Sequence, residues 1–229
     1  MKLHWSPRSP FVRKVMIVAH EKGLTGRLDC VRSVVAYAAA PNEEVLRDNP
    51  LGKIPALVLD DGTCLFDSPV ICEYLDGLDG RPTLLPKDGA GRWAQLRWQA
   101  LGDGMTDILL LWRNEQMRPG GEYAVVVKAF DRKIRASFAQ LNAEARLLSD
   151  MPFGLGHIAI ICAIGQLDFR FRDSHWRDAF PALAAWYDKV GARDSVARSA
   201  PQDDPSPVAV DPAFDPNSSP INFLEVRPV

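Results

Sequence analysis

Residues 1–80 alternate short apolar runs with helical stripes. Lys2 to Trp5 reads as a strand. Pro7 and Pro10 bracket a turn, and Pro10 suits the first position of a helix. Phe11 to Lys22 continue that helix, and Gly23 stops it. Arg27 to Arg32 predicts a second strand, Asn42 to Asp48 a short helix, and Ala56 to Leu59 a third strand. Asp60-Asp61-Gly62 is a turn from which Thr63 to Phe66 pairs back as a hairpin. Asp67-Ser68-Pro69 opens a helix over Val70 to Leu78. The order β-α-β-α-β-β-α, a parallel pair followed by a hairpin with helices on the faces, is an α/β sheet layout.

Residues 79–87 are rich in turn formers and read as a linker. Beyond them strand signals fade. Residues 88–117 predict a long helix with Trp93, Leu96, Ala100 and Leu101 on its apolar side. Pro119-Gly120-Gly121 breaks it. Phe130, Ile134, Phe138 and Leu141 mark the next helix. His157 to Asp168 is apolar nearly all round, as a central buried helix would be. Pro181 to Val190 gives one more. The expected division is a sheet domain over 1–80, a helical domain over 88–200 and a tail over 201–229. The tail is rich in Pro, Asp and Ser and is expected to be irregular, wrapping the surface.

Composition narrows the functions. The 229 residues are 47% hydrophobic and carry a net charge of −2, which suits a globular core and lacks the basic excess of a nucleic-acid binder. Neither an N-terminal apolar leader nor a stretch of the ~20 residues that span a bilayer is visible, so the expected setting is the cytoplasm, off the membrane. The four cysteines and four histidines are scattered. They have no metal-ligand spacing, so no metal is expected, and the thiols read as buried and reduced.

Three segments carry candidate chemistry. In Ser6-Pro7-Arg8-Ser9-Pro10, a hydroxyl stands just before a helix with Pro at its first position. That is a good N-cap, and it is also a place where a helix N-terminus and a hydroxyl stabilise an anion. In Asn49-Pro50-Leu51-Gly52-Lys53-Ile54-Pro55, a proline opens a strand although it cannot donate to a ladder. Either it is an ordinary trans edge proline, or a cis bond turns the chain so that the main chain of Ile54 can pair with an extended ligand. Asp67-Ser68-Pro69 is again a capping signature. Read functionally, Ser68 and the helix N-terminus take a carboxylate while Asp67 accepts from an ammonium. Together these groups suit a ligand with an amine, a carboxylate, a peptide backbone and a thiol. Glutathione has all four.

At this point the chain resembles the glutathione S-transferase superfamily over about residues 1–200. The resemblance rests on Ser9-Pro10-Phe11-Val12-Arg13-Lys14, Asn49 to Leu57, Leu65 to Leu75, and Ile158 to Arg170. It implies a thioredoxin-like α/β N-terminal domain and an all-α C-terminal domain. It also implies that Ser9 hydrogen-bonds the glutathione sulfur and that Ile54 pairs with the cysteinyl backbone beside a cis Pro55. Asp67 and Ser68 would hold the γ-glutamyl end, and Lys53 would reach the glycyl carboxylate. The usual assembly is a homodimer, with a substrate pocket between the domains. Ser9 stands where thiol-exchange relatives carry Cys, which favours thiolate activation over disulfide chemistry.

The expected reaction is transfer of glutathione to a small hydrophobic electrophile, with Asp103, Met105, Thr106, Leu110 and Trp112 near it. Glutathione-dependent peroxide reduction and a non-catalytic, stress-linked binding role are the alternatives. One departure stands out. Family members often begin the buried helix with Ser/Thr-x-x-Asp, a capping box, whereas this chain has Gly154 and His157. His157 is expected to be a satisfied core histidine that does not answer the cap as a carboxylate would.

Overall fold

The computed structural model describes residues 1–37, 40–78, 81, 83–204 and 220–225. Ser9 and Pro10 set the first junction of the fold. β1 (Lys2–Trp5) ends before them and α1 (Pro10–Lys22) begins with Pro10. Gly23, at φ 66°, ends that helix in the left-handed conformation that glycine adopts without penalty. A 3-10 turn over Thr25–Arg27 takes the first part of the expected second strand, so β2 is Asp29–Arg32. α2 (Glu43–Asp48) starts at an Asn42 cap, whose side chain accepts from the backbone N–H of Glu44 and Val45. β3 (Ala56–Val58), β4 (Cys64–Leu65) and α3 (Ser68–Asp76) complete the sheet half.

The sheet order is β2-β1-β3-β4. β1 runs parallel to β2. It runs antiparallel to β3 with His4 opposite Ala56, and β3 runs antiparallel to β4 with Leu57 opposite Leu65. This register brings three stretches to one end of the sheet: the chain after Trp5, the chain before Ala56 and the chain after Leu65. These are the three candidate segments.

Ten helices occur among the described residues. The helical half contains α4 (Gly89–Gln116), α5 (Ala124–Ala143), α6 (Ala145–Asp150), α7 (Leu155–Arg170), α8 (Trp176–Ala179), α9 (Pro181–Gly191) and α10 (Asp194–Arg198). Two compact units result. One holds Met1–Leu96 with the segment that begins at Asp194, and the other holds Arg97–Arg193 with the C-terminal end of the chain.

In the first unit α10 returns to pack on α1, and α3 packs beside α1. A buried ion pair joins those two helices, Lys22 Nζ to Asp76 Oδ1 at 3.2 Å. Asp76 also accepts from the backbone N–H of Leu84 and Leu85 and from the Thr83 hydroxyl, which fastens the linker. Under the sheet end, the fully buried His4 bonds Ser33 Oγ at 2.8 Å and Asp48 at 2.7 Å. The Asp48 carboxyl is held below the usual carboxylate range, first by its hydrogen bond from Lys2 and then by His4.

In the second unit α7 is buried from Leu155 to Leu167. The apolar side of α4 differs from the expectation. Trp93 is 70% exposed and Ala100 is exposed, while the buried face runs through Trp98, Gly102, Met105, Leu109 and Trp112. Gly102 lies so close to α7 that a Cβ there would stand 2.5 Å from the Ala159 carbonyl carbon. Trp112 packs against Phe130 and Phe171, so its ring belongs to the core.

His157 corrects a second expectation. Its Nδ1 accepts from the Gly154 N–H at 3.2 Å, and its Nε2 faces the Leu148 carbonyl at 3.0 Å. The imidazole therefore answers the N-cap after all. Gly154 has no side chain to return the bond, so only half of a capping box forms. The far end of the tail departs from the expected surface wrap, whereas its start, Gln202 to Asp204, lies against Pro7, Arg8 and Arg32. Pro220–Glu225 is irregular, yet Ile221 is buried and Phe223 stacks in a cluster with Phe138 and Phe180. Arg135 donates to the carbonyls of Asn222 and Phe223. Of the cysteines, Cys72 and Cys162 are buried as expected, Cys64 is partly buried, and Cys30 is exposed on β2.

Candidate functional site

Ser9 is the N-cap of α1, and its Oγ accepts from the Val12 N–H at 3.3 Å. A cap acts through its oxygen, so the Ser9 hydroxyl proton remains available to an anion. No acidic residue lies in the first turn of α1, so the positive end of the helix is not neutralised from within. Ser9 is partly exposed. Capping and anion stabilisation, which the sequence leaves as alternatives, are therefore compatible in one side chain.

Ile54 precedes β3, and the Ile54–Pro55 bond is cis. Asn49 shapes the approach. It is buried, its side chain donates to the Lys53 carbonyl at 2.8 Å and accepts from the Leu51 N–H at 3.1 Å. Gly52 takes φ 62° in the same turn. Among the described residues, no hydrogen bond uses the N–H or carbonyl of Ile54. Its side chain is buried in a cluster with Val12 and Val45. Val12 thus links the Ser9 cap to Ile54. Lys53 beside it is exposed.

Ser68 is the first residue of α3, with Pro69 next, and Asp67 stands at the N-cap. The Asp67 side chain makes no capping bond and is exposed, so its carboxylate is not used by the helix it precedes. Ser68 is buried to 1% exposure, and no hydrogen bond of its hydroxyl occurs among the described residues. The Phe66–Asp67 bond is also cis. The sheet register thus gathers Ser9, Ile54, Pro55, Asp67 and Ser68 at one end of the sheet, with Lys53 at its rim.

The start of the tail straps the first segment, a wrap the sequence predicts without its contacts. The Gln202 N–H donates to the Pro7 carbonyl at 3.1 Å. Arg8 pairs with Asp203 at 3.0 Å and with Asp204, and Arg32 also pairs with Asp204. A cleft of about 110 Å³ lies between α1 and this returning segment. Ser9 lines it, but Ile54 and Ser68 do not. Among the described residues no group of His, Cys, Asp and Glu side chains could hold a metal, and no helix is long and apolar enough to cross a membrane.

Comparison with known proteins agrees with this arrangement. Residues 8–78 match the N-terminal domain model of glutathione S-transferases, and residues 124–189 match the C-terminal domain model. The chain belongs to the glutathione S-transferase superfamily, with a thioredoxin-like sheet domain and a helical domain. The GST-like protein YibF of Escherichia coli is 36% identical over 88% of this chain and 98% of its own length. A glutathione transferase family member from Pseudomonas fluorescens Pf-5, solved with bound glutathione, is 40% identical over 88% of this chain and 99% of its own, at a TM-score of 0.85. The Pseudomonas fluorescens Pf-5 structure with bound S-(propanoic acid)-glutathione superposes at a TM-score of 0.80, at 39% identity over 89% of this chain and 100% of its own.

Proposed function

We propose that this chain is a glutathione transferase that binds glutathione along the sheet end and presents its sulfur, as a thiolate, to a small hydrophobic electrophile. The observation that carries the reading is the main chain of Ile54, unpaired among the described residues, beside cis Pro55, next to the cap of α1. A peptide-like ligand completes that main chain as an added strand. Ser68 and the start of α3 take the γ-glutamyl carboxylate, Asp67 accepts from its ammonium, and Lys53 reaches the glycyl carboxylate. The glutathione bound in the Pseudomonas relative supports the same reading.

The chemistry follows from the position of Ser9. A free thiol with a pKa of about 8.5 is only ~3% ionised at pH 7. A hydroxyl donor and a helix N-terminus that lower it by roughly 2 units raise the thiolate to about 75%. Ser9 donates a hydrogen bond and takes no proton, since its hydroxyl is far too weak an acid to be ionised at neutral pH and no alkoxide is present to act as a base. The acceleration comes from anion stabilisation and orientation.

Replacing Asp67→Ala and Ser68→Ala together is expected to weaken glutathione binding at least about tenfold in calorimetric titration. Binding equal to the wild type would remove the assignment of the γ-glutamyl end. A homodimer belongs to the same reading, because Leu51, Val70 and Trp93 leave apolar side chains 63%, 46% and 70% exposed. Sedimentation is expected to give a dimer for the wild type and a monomer for Trp93→Lys. Two identical profiles would argue against a subunit contact there.

A further inference from the structure

The Ser6–Ser9 turn carries the Ser9 hydroxyl into α1, and its own bonds hold it loosely. The Ser9 N–H donates to the Ser6 carbonyl at 3.3 Å, the Arg8 N–H to Ser6 Oγ at 3.4 Å, and the Val12 N–H to Ser9 Oγ at 3.3 Å. All three are longer than the ~2.9–3.0 Å usual for such bonds. The first helical bond, from the Arg13 N–H to the Ser9 carbonyl at 2.9 Å, fixes only the helix side of Ser9.

Contacts from the far end of the chain grip the turn more closely. The Gln202 N–H donates to the Pro7 carbonyl at 3.1 Å. Arg8 Nε meets Asp203 at 3.0 Å, with Asp204 next to it at 3.6 Å. Arg32 Nε donates to the same Asp204 at 2.7 Å. Arg32 closes β2, and its Nη1 donates to the Ser33 carbonyl at 2.8 Å. The Ser33 N–H in turn donates to the Trp5 carbonyl at 2.8 Å. Asp204 thus ties the turn to the ends of β1 and β2. On its other side the segment follows α10, which packs on α1 and reaches Glu21 through the Ser195 hydroxyl. A partly exposed ion pair alone contributes little. One carboxylate shared by two guanidiniums, however, joins three parts of the chain.

We propose that Gln202–Asp204 is a positioning segment, anchored by Asp204, that holds the Ser6–Ser9 turn so that the Ser9 hydroxyl points at the glutathione sulfur. The grip on the turn stands on the contacts alone, whereas the role toward the sulfur rests on the glutathione reading. A hydrogen bond weakens steeply as its angle opens, and a small misplacement of a donor is costly to a reaction. Charge alone acts in the opposite sense. Asp203 and Asp204 neutralise Arg8 and Arg32, cations that would otherwise favour a thiolate beside Ser9. A positional effect and a charge effect of this segment therefore have opposite signs.

The test uses the full chain and two variants. Asp204→Asn removes the anchoring charge. Gln202→Pro removes the N–H that holds Pro7 and leaves every charge in place; the Gln202 side chain is exposed, so the core is not touched. Amide exchange is read first, by NMR, on the ligand-free protein. The Ser9 and Val12 amides should exchange roughly twofold to fivefold faster in both variants. Exchange at the wild-type rate in both would overturn the grip. The thiolate absorbance of bound glutathione is then followed against pH. Its midpoint should move up by about 0.5–1 in both variants, as expected for a weakened hydrogen bond to the sulfur. A midpoint lowered in Asp204→Asn and unmoved in Gln202→Pro would assign the segment a charge effect and overturn the positioning role. Midpoints unmoved in both would overturn it as well. Failure of the glutathione reading appears separately, as absent glutathione binding by the wild type. It removes the role toward the sulfur, while the exchange result still decides the grip.

Discussion

His157 stands at the third position of α7, where a carboxylate ordinarily answers the cap. It does that work as a neutral ring, accepting from Gly154 through Nδ1 and donating to Leu148 through Nε2. Burial is the main cause that lowers its pKa. The hydrogen bond to Leu148 opposes the shift, and the charge of Arg193 adds to it. A folded-state pKa below the unfolded value of about 6.5 means that this contribution is complete above pH ~6.5 and is lost as pH falls through the folded pKa. The urea midpoint of the wild type should therefore fall from pH 6.5 toward 5, and His157→Gln should flatten that fall. An unchanged slope would show that the imidazole is not the titrating group. At this scale the sequence was most readable where residue chemistry is local. The Ser9 cap and the core position of His157 appeared in it, whereas the residues alone left Pro55 open between trans and cis and the cis bond came from the family resemblance. The burial of Arg13 did not appear, because a guanidinium in a helix pattern gives no sign of whether a partner will meet it.

The helices show which long-range information the periodic pattern lacks. Ends of α1, α5, α7 and α9 fell near their apolar stripes and turn residues. The buried face of α4 did not, since Gln95, Gln99 and Gly102 occupy it and Trp93 on the expected stripe faces outward. The four-to-six-residue helices α6, α8 and α10 are too short to show a period. Gly102 is the critical contact of the α4–α7 pair. Gly102→Ala places a methyl group against backbone atoms that cannot swing aside, and a destabilisation of about 1–3 kcal/mol or more is expected in denaturant titration. Gly104→Ala is the control. Nothing lies within 4 Å of a Cβ there, and helix propensity alone should stabilise it by up to about 1 kcal/mol. Equal effects of the two substitutions would contradict the close packing of α4 on α7.

For the whole molecule, motif order told more than composition. Several short segments in the right sequence pointed to the superfamily, and the sheet register then explains why they act together: all three reach one sheet end. The tail was the least readable part. Its Pro, Asp and Ser content masks Ile221 and Phe223, whose value depends on aromatic partners contributed from α5 and Phe180. The strap over Pro7 likewise depends on ion pairs between residues far apart in the chain, which no local pattern encodes.

We propose that this chain binds glutathione with its sulfur ionised at Ser9, and an ultraviolet difference spectrum of the protein titrated with glutathione near pH 7, beside Ser9→Ala, tests it. A saturable thiolate absorbance is expected for the wild type and its loss in Ser9→Ala, with glutathione still bound through Ile54 and Ser68. Saturable binding with no thiolate signal in the wild type, or a signal unchanged in Ser9→Ala, would contradict it.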